Sequence, residues 1–178
     1  MFHTARRIVA SGLPLRQSRN AVAEPDCHPT FDCRCSLEMS DLAIHGSCYC
    51  KAVQFSCHPP SRFVAHCHCN NCRRAHGAGF VTWAGFPDAQ FTITQGEERL
   101  GHYRTETAAT RSFCSTCGSM LFFRSPRWPG EVHVALGALD DPIDKLPTVH
   151  VYADRAPPWA PITDALQKRG GESGTEPI

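Results

Sequence analysis

The chain has 178 residues, enough for one domain with a real core, and its Lys+Arg 18 against Asp+Glu 17 give a formal net charge of +1. That balance argues against a nucleic-acid binder, which carries a basic excess or stripe, and no apolar run approaches the roughly 20 residues of a membrane-spanning helix. Gly 13 and Pro 14 favour turns and short strands over long helices.

Residues 1–40 read as an N-terminal extension. Arg6, Arg7, Arg16 and Arg19 precede the first acidic residue, Glu24, and neither helical nor strand periodicity is sustained. An Arg-rich, acid-poor segment also describes an organelle transit peptide, but the amphipathicity is poor. A disordered extension, or a chain that starts at Met39, is the better expectation. Cys27, Cys33 and Cys35 fall here and read as spare thiols.

The folded domain is expected over residues 43–160. Residues 46–51 form a glycine-led turn that carries a C-x-C pair, Cys48 and Cys50, and residues 52–56 alternate as a half-buried strand does. Cys57 reads as a small buried hydrophobe. A strand at 62–66 then delivers Cys67-His68-Cys69-Asn70-Asn71-Cys72. Cys67 and Cys69 point to one side of an extended segment, and a turn at Asn70-Asn71 brings Cys72 back to them. Three sulfurs suit a soft metal, zinc above all, and leave one tetrahedral position open to chemistry. Arg73 and Arg74 follow; their charge favours thiolate and attracts an anionic ligand.

Further strands are expected at 80–86, 91–94 and 100–103. Residues 111–123 read as a strand, a C-x-x-C-G knuckle with Cys114 and Cys117, and a returning strand, with Gly118 supplying a positive φ. One such pair is half of a tetrahedral site. Cys48 and Cys50 are its natural complement, which closes a four-cysteine structural zinc centre. Strands at 131–137 and 149–152 follow, and residues 161–178, polar and carrying Gly170-Gly171, read as a flexible C-terminal tail. The fold expected is all-β: short-stranded sheets in a sandwich-like arrangement pinned by zinc, with few helices. Eleven cysteines, an odd number, in C-x-C and C-x-x-C pairs make poor disulfide partners and good chelators. The expectation is a reducing, cytoplasmic setting with zinc bound.

These residues resemble the glutathione-dependent formaldehyde-activating enzyme family, which includes centromere protein V. The resemblance rests on G-S-C-Y-C-K-A-V-Q-F at 46–55, C-H-C-N-N-C-R-R at 67–74, F-C-S-T-C-G-S-M-L at 113–121, H-V-A-L-G-A-L-D-D-P at 133–142 and H-V-Y-A-D-R-A-P-P-W at 150–159. It implies a β-rich fold with two zinc ions: a structural one on Cys48, Cys50, Cys114 and Cys117, and a catalytic one on Cys67, Cys69 and Cys72. The implied activity is that of a carbon–sulfur lyase, adding the zinc-bound thiolate of glutathione to formaldehyde to give S-(hydroxymethyl)glutathione. Arg73 and Arg74 then suit glutathione's carboxylates, and His66, His68 or His76 the proton transfer. Lys51 departs from the family, which usually has glycine after the C-x-C pair. A non-catalytic zinc module that binds a thiol or a partner protein is the alternative.

Overall fold

Alternating burial along the strands sorts the apolar residues onto the two faces of one large sheet. The computed structural model describes residues 42–178. The N-terminal extension expected over 1–40, with its three cysteines, lies outside the described residues. In order come β1 (Ile44–Ser47), β2 (Gln54–Cys57), β3 (Phe63–Cys67), helix α1 (Asn70–His76), β4 (Val81–Pro87), β5 (Phe91–Gln95) and β6 (Leu100–Arg104). After them lie β7 (Thr110–Cys114), β8 (Met120–Arg124), β9 (Glu131–Ala135), β10 (Val149–Val151), β11 (Gln167–Gly170) and β12 (Glu176–Pro177). The sheets are open: a three-stranded one, β1-β2-β5, and a nine-stranded one in the order β12-β11-β10-β3-β4-β9-β8-β7-β6. The expected all-β class holds, with α1 the one α-helix among the described residues. No helix among them is long and apolar enough to cross a membrane.

On one face of the large sheet, Ala84, Phe86, Phe122, Val132 and Val134 pack against Ile44, Phe55 and Phe91 of the small sheet. The phenylalanines meet directly, with Phe55–Phe91 centroids at 5.5 Å and Phe91–Phe122 at 4.8 Å. Each such burial is worth about 1.5–3 kcal/mol. Gly46 lets β1 approach closely: a Cβ there would overlap the Phe55 ring and sit 2.6 Å from the Ala138 carbonyl oxygen. The opposite face takes Val81, Trp83, Phe123 and Ala135, together with Cys67 and Cys72.

Two segments differ from their sequence expectation. Asn70-Asn71 opens a helix, not a turn. Cys69 caps it, its Sγ accepting from the Cys72 amide at 3.3 Å, and Gly77 closes it at φ 59°. Arg73, Arg74 and His76 occupy the last turn, where positive charge suits the helix dipole. Residues 161–178, expected as a flexible tail, carry β11 and β12. β11 pairs in parallel with β10 through Val149↔Gln167 and His150↔Lys168, and β12 folds back on it. The Tyr152 amide donates to the Gly174 carbonyl at 3.1 Å, and Arg127 Nη2 to the Ser173 carbonyl at 2.8 Å. An edge strand coheres through backbone and side-chain hydrogen bonds that a polar composition does not advertise.

Hydrogen exchange tests this edge. The amides of Gln167–Gly170 that bond to β10 should exchange at least about tenfold more slowly than those of the preceding coil at 161–165. Equal, fast exchange across 161–178 would contradict the pairing.

Candidate functional site

The first cysteine cluster joins two tight turns. After β1, the Lys51 amide donates to the Cys48 carbonyl at 2.9 Å, and the Val53 amide approaches the Cys48 Sγ at 3.3 Å. In the β7–β8 hairpin, the Gly118 amide donates to the Cys114 carbonyl at 2.8 Å, with Gly118 at φ 77°. The Sγ atoms of Cys48, Cys50, Cys114 and Cys117 all lie within 4.8 Å of one another. Cys48–Cys50 is 3.6 Å and Cys50–Cys114 is 3.8 Å. Tetrahedral zinc with Zn–S of about 2.3 Å sets sulfurs about 3.8 Å apart, so the donor set fits.

Lys51 explains its own departure from glycine. It sits at φ 62°, a left-handed conformation that costs an L-residue about 1–2 kcal/mol. Its Nζ donates at 2.7 Å both to Ser47 Oγ and to Asp140 Oδ1, contacts glycine cannot make.

The second cluster brings together Cys67 at the end of β3, Cys69 at the helix cap and Cys72 within α1, again with all Sγ within 4.8 Å. Cys67–Cys72 is 3.7 Å. Cys67 and Cys72 are buried, Cys69 half-buried. Hydrogen bonds from Cys67 and Cys69, helped by Arg111, push the Cys72 thiol far down, while hydrogen bonding to Cys69 and Cys72 and burial push Cys67 up. Crowding three thiols together opposes the ionisation of all of them at once. A dication is what allows all three to ionise together.

The structure divides the candidate histidines. Cys67 pairs with Val81 and Ala65 with Trp83, so these four share a face; His66 pairs with Thr82 and His150, on the other face. His68 is buried there too, its Nε2 2.8 Å from His150 Nδ1, and His150 Nε2 lies 2.9 Å from Asp164 Oδ1. His76 remains on the cysteine side. It follows Cys72 by one helical turn, and its ring meets Trp83 edge-on at 5.2 Å. Burial lowers its pKa, so its imidazole is neutral.

Arg73 is held by Asn70 Oδ1 at 3.2 Å and the Arg155 carbonyl at 3.1 Å, and lies over the Trp159 ring at 5.8 Å. Arg74 is exposed. Sequence reasoning passed over Arg111, a buried residue of β7 whose Nη2 lies 3.5 Å from Cys72 Sγ. Its one signal was a charge inside a strand, three residues before a clustered cysteine. A cleft of about 840 Å³ is lined in part by Cys48 of the first cluster and by Tyr49, Phe80 and Ala135; it reaches the second cluster only through its neighbours His76 and Val81, since Cys67, Cys69 and Cys72 do not line it. Phe80 is 42% exposed and Trp159 70% exposed, so both aromatic rings face the surface.

The family profile described as "Glutathione-dependent formaldehyde-activating enzyme" matches residues 43–155, a span that includes both cysteine clusters. The chain belongs to this family. A Halomonas elongata protein, provisionally described as a glutathione-dependent formaldehyde-activating enzyme, is 32% identical over 135 residues, covering 72% of this chain and 86% of its own. An uncharacterised lyase of Schizosaccharomyces pombe is 31% identical over 83 residues, 44% of this chain; the match spans 55% of that lyase's length. A Rhodobacter sphaeroides protein of known crystal structure superposes with a TM-score of 0.50 at 26% identity, covering 58% of this chain and 98% of that one. Family membership and these relatives support a lyase of the formaldehyde-activating type.

The Lys51 turn gives a stability test. Lys51→Ala keeps the strained φ and loses both contacts, so urea unfolding should show a loss of about 1 kcal/mol. Lys51→Gly removes the strain as well and should stay within about 0.5 kcal/mol of the parent. Equal losses in the two would contradict the compensation.

Proposed function

We propose that the chain is a zinc-dependent carbon–sulfur lyase that joins the thiol of glutathione, or a related small thiol, to formaldehyde. The observation that carries this is the unequal pair of sulfur clusters, one of four and one of three, in a chain of this family. Cys48, Cys50, Cys114 and Cys117 hold a structural zinc, closed to chemistry. Cys67, Cys69 and Cys72 hold the second. A zinc ion there supplies the positive charge that stabilises an incoming thiol as its thiolate.

The chain's own residues account for the rest. The cleft is large enough for a tripeptide thiol. Exposed Arg74 offers its guanidinium to a glutathione carboxylate, while Arg73, tied to the 155–159 segment, fixes the rim beside it. Neutral His76 accepts the thiol proton. The thiolate sulfur attacks the aldehyde carbon, the carbonyl π pair moves to oxygen, and His76 returns the proton to that oxygen. The cysteines among the described residues form no disulfide, which fits a reducing compartment such as the cytoplasm.

Metal content and formaldehyde–glutathione exchange, measured together on wild type and Cys69→Ser, test this reading. Two zinc ions per chain should fall to one in the variant, and exchange should fall to the uncatalysed rate. One zinc in both proteins, with no exchange above background, would leave a structural zinc module that binds a thiol or a partner protein.

A further inference from the structure

Arg111 touches the second cysteine cluster with only one of its terminal nitrogens. The residue is 8% exposed, its Nη2 lies 3.5 Å from Cys72 Sγ, and its Nη1 has no hydrogen-bond partner among the described residues. A buried N–H left unpaired is costly, more so on a charged group, so the exception calls for a reason. Nη1 shares its carbon with Nη2 and therefore lies in the immediate surroundings of the sulfurs.

Arg111 is not alone. Trp83 Nε1 and His76 Nε2 are also buried without partners. Trp83 lies edge-on to His76 at 5.2 Å and to Phe123 at 4.8 Å, and the Arg111 guanidinium sits over Phe123 at 5.6 Å. Trp83 and Phe123 belong to the same packed group as Cys67 and Cys72. Buried polar atoms without partners also occur on Ser61, His68, Arg73 and Gln90, but Arg111 and Trp83 are two donors whose side chains both pack on Phe123, next to the sulfurs. A site awaiting an anionic oxygen has this arrangement.

Charge and reach identify that oxygen. Three thiolates and a dication sum to −1, which Arg111 neutralises. An incoming thiolate adds a further negative charge, and attack on the aldehyde moves that charge to the carbonyl oxygen. Glutathione's carboxylates are separated from its sulfur by several bonds and belong at the rim. The oxygen that arrives beside the cluster is the one a single carbon away from the reacting sulfur.

We propose that Arg111 Nη1–H and Trp83 Nε1–H form an oxyanion site that receives the aldehyde oxygen as it becomes an alkoxide. This rests on the thiol-plus-aldehyde reading above and assigns catalytic roles to Arg111 and Trp83 within it. The carbon–sulfur bond forms, the carbonyl π pair passes to oxygen, and the proton released by the thiol ends on that oxygen. Nothing is oxidised or reduced.

The test uses zinc-loaded wild type, Arg111→Met, Arg111→Lys and Trp83→Phe, each checked for metal content and unfolding midpoint. The first readout is formaldehyde–glutathione exchange. Arg111→Met should lower kcat by about 10²–10³, the loss of one oxyanion donor. Arg111→Lys and Trp83→Phe should lose about tenfold, and KM for glutathione should stay within about threefold throughout. The second readout needs no turnover: binding of thioglycolate, whose anionic carboxylate oxygens lie one carbon beyond the position of the alkoxide, against ethanethiol, which has no oxygen. Wild type should prefer thioglycolate by at least about tenfold, and Arg111→Met should lose the preference.

An Arg111-dependent preference without exchange in wild type would overturn the formaldehyde reading and keep the oxyanion site. Exchange undiminished in a metal-replete Arg111→Met would do the reverse. If every Arg111 variant loses the second metal while Trp83→Phe keeps full activity, Arg111 is only the counter-ion of Cys72 and the proposal fails. If neither thiol binds wild type, both readings fall.

Discussion

Convergence of sulfur is the constraint on which the rest of this structure depends. Cys48 and Cys114 are at once members of the main apolar cluster and of the four-sulfur set. The clip therefore ties the small sheet's first turn to the β7–β8 hairpin through the core itself. Closing a loop of that length costs conformational entropy that grows only slowly with length, and a metal bound there by four thiolates would offset it. Short strands and many turns can then fold without long helices to organise them.

The large sheet does a second job by being two-faced. Its small-sheet side is a phenylalanine-rich core. Its other side collects cysteine, tryptophan, histidine and arginine around α1. Apolar walls of Val81, Trp83 and Phe123 lower the local dielectric there, which strengthens each charge contact and makes an unpaired donor expensive. The helix contributes by its caps: Cys69 holds the amide of Cys72, so candidate ligand and cap are one group. The phenylalanine core and the proposed chemistry lie on opposite faces of the same strands.

Much of this was legible in the residues. C-x-C and C-x-x-C spacing gives the cysteine pairs away because few backbone paths bring two thiols together so cheaply. Alternation placed most strands, from residues 80–86 to residues 111–123, within a residue or two of their bounds. α1 was hidden because a seven-residue helix shows too little periodicity, and its cap is a cysteine, outside the usual Ser, Thr, Asp and Asn. β11 was hidden because Gln167-Lys168-Arg169-Gly170, a short polar strand next to the sheet's edge, buries little. Arg111 was hidden because its partner, Cys72, is distant in sequence. The histidines were a different matter: alternation about Cys67 already turns His66 and His68 to the far face.

X-ray absorption at the zinc edge tests the central claim most directly, since it counts sulfurs around the metal. One four-sulfur and one three-sulfur site average to about 3.5 sulfurs per zinc. Added glutathione should raise that average to about four, by filling the position the chain leaves open. An average of about four before glutathione, or no change on adding it, would contradict an open three-cysteine centre.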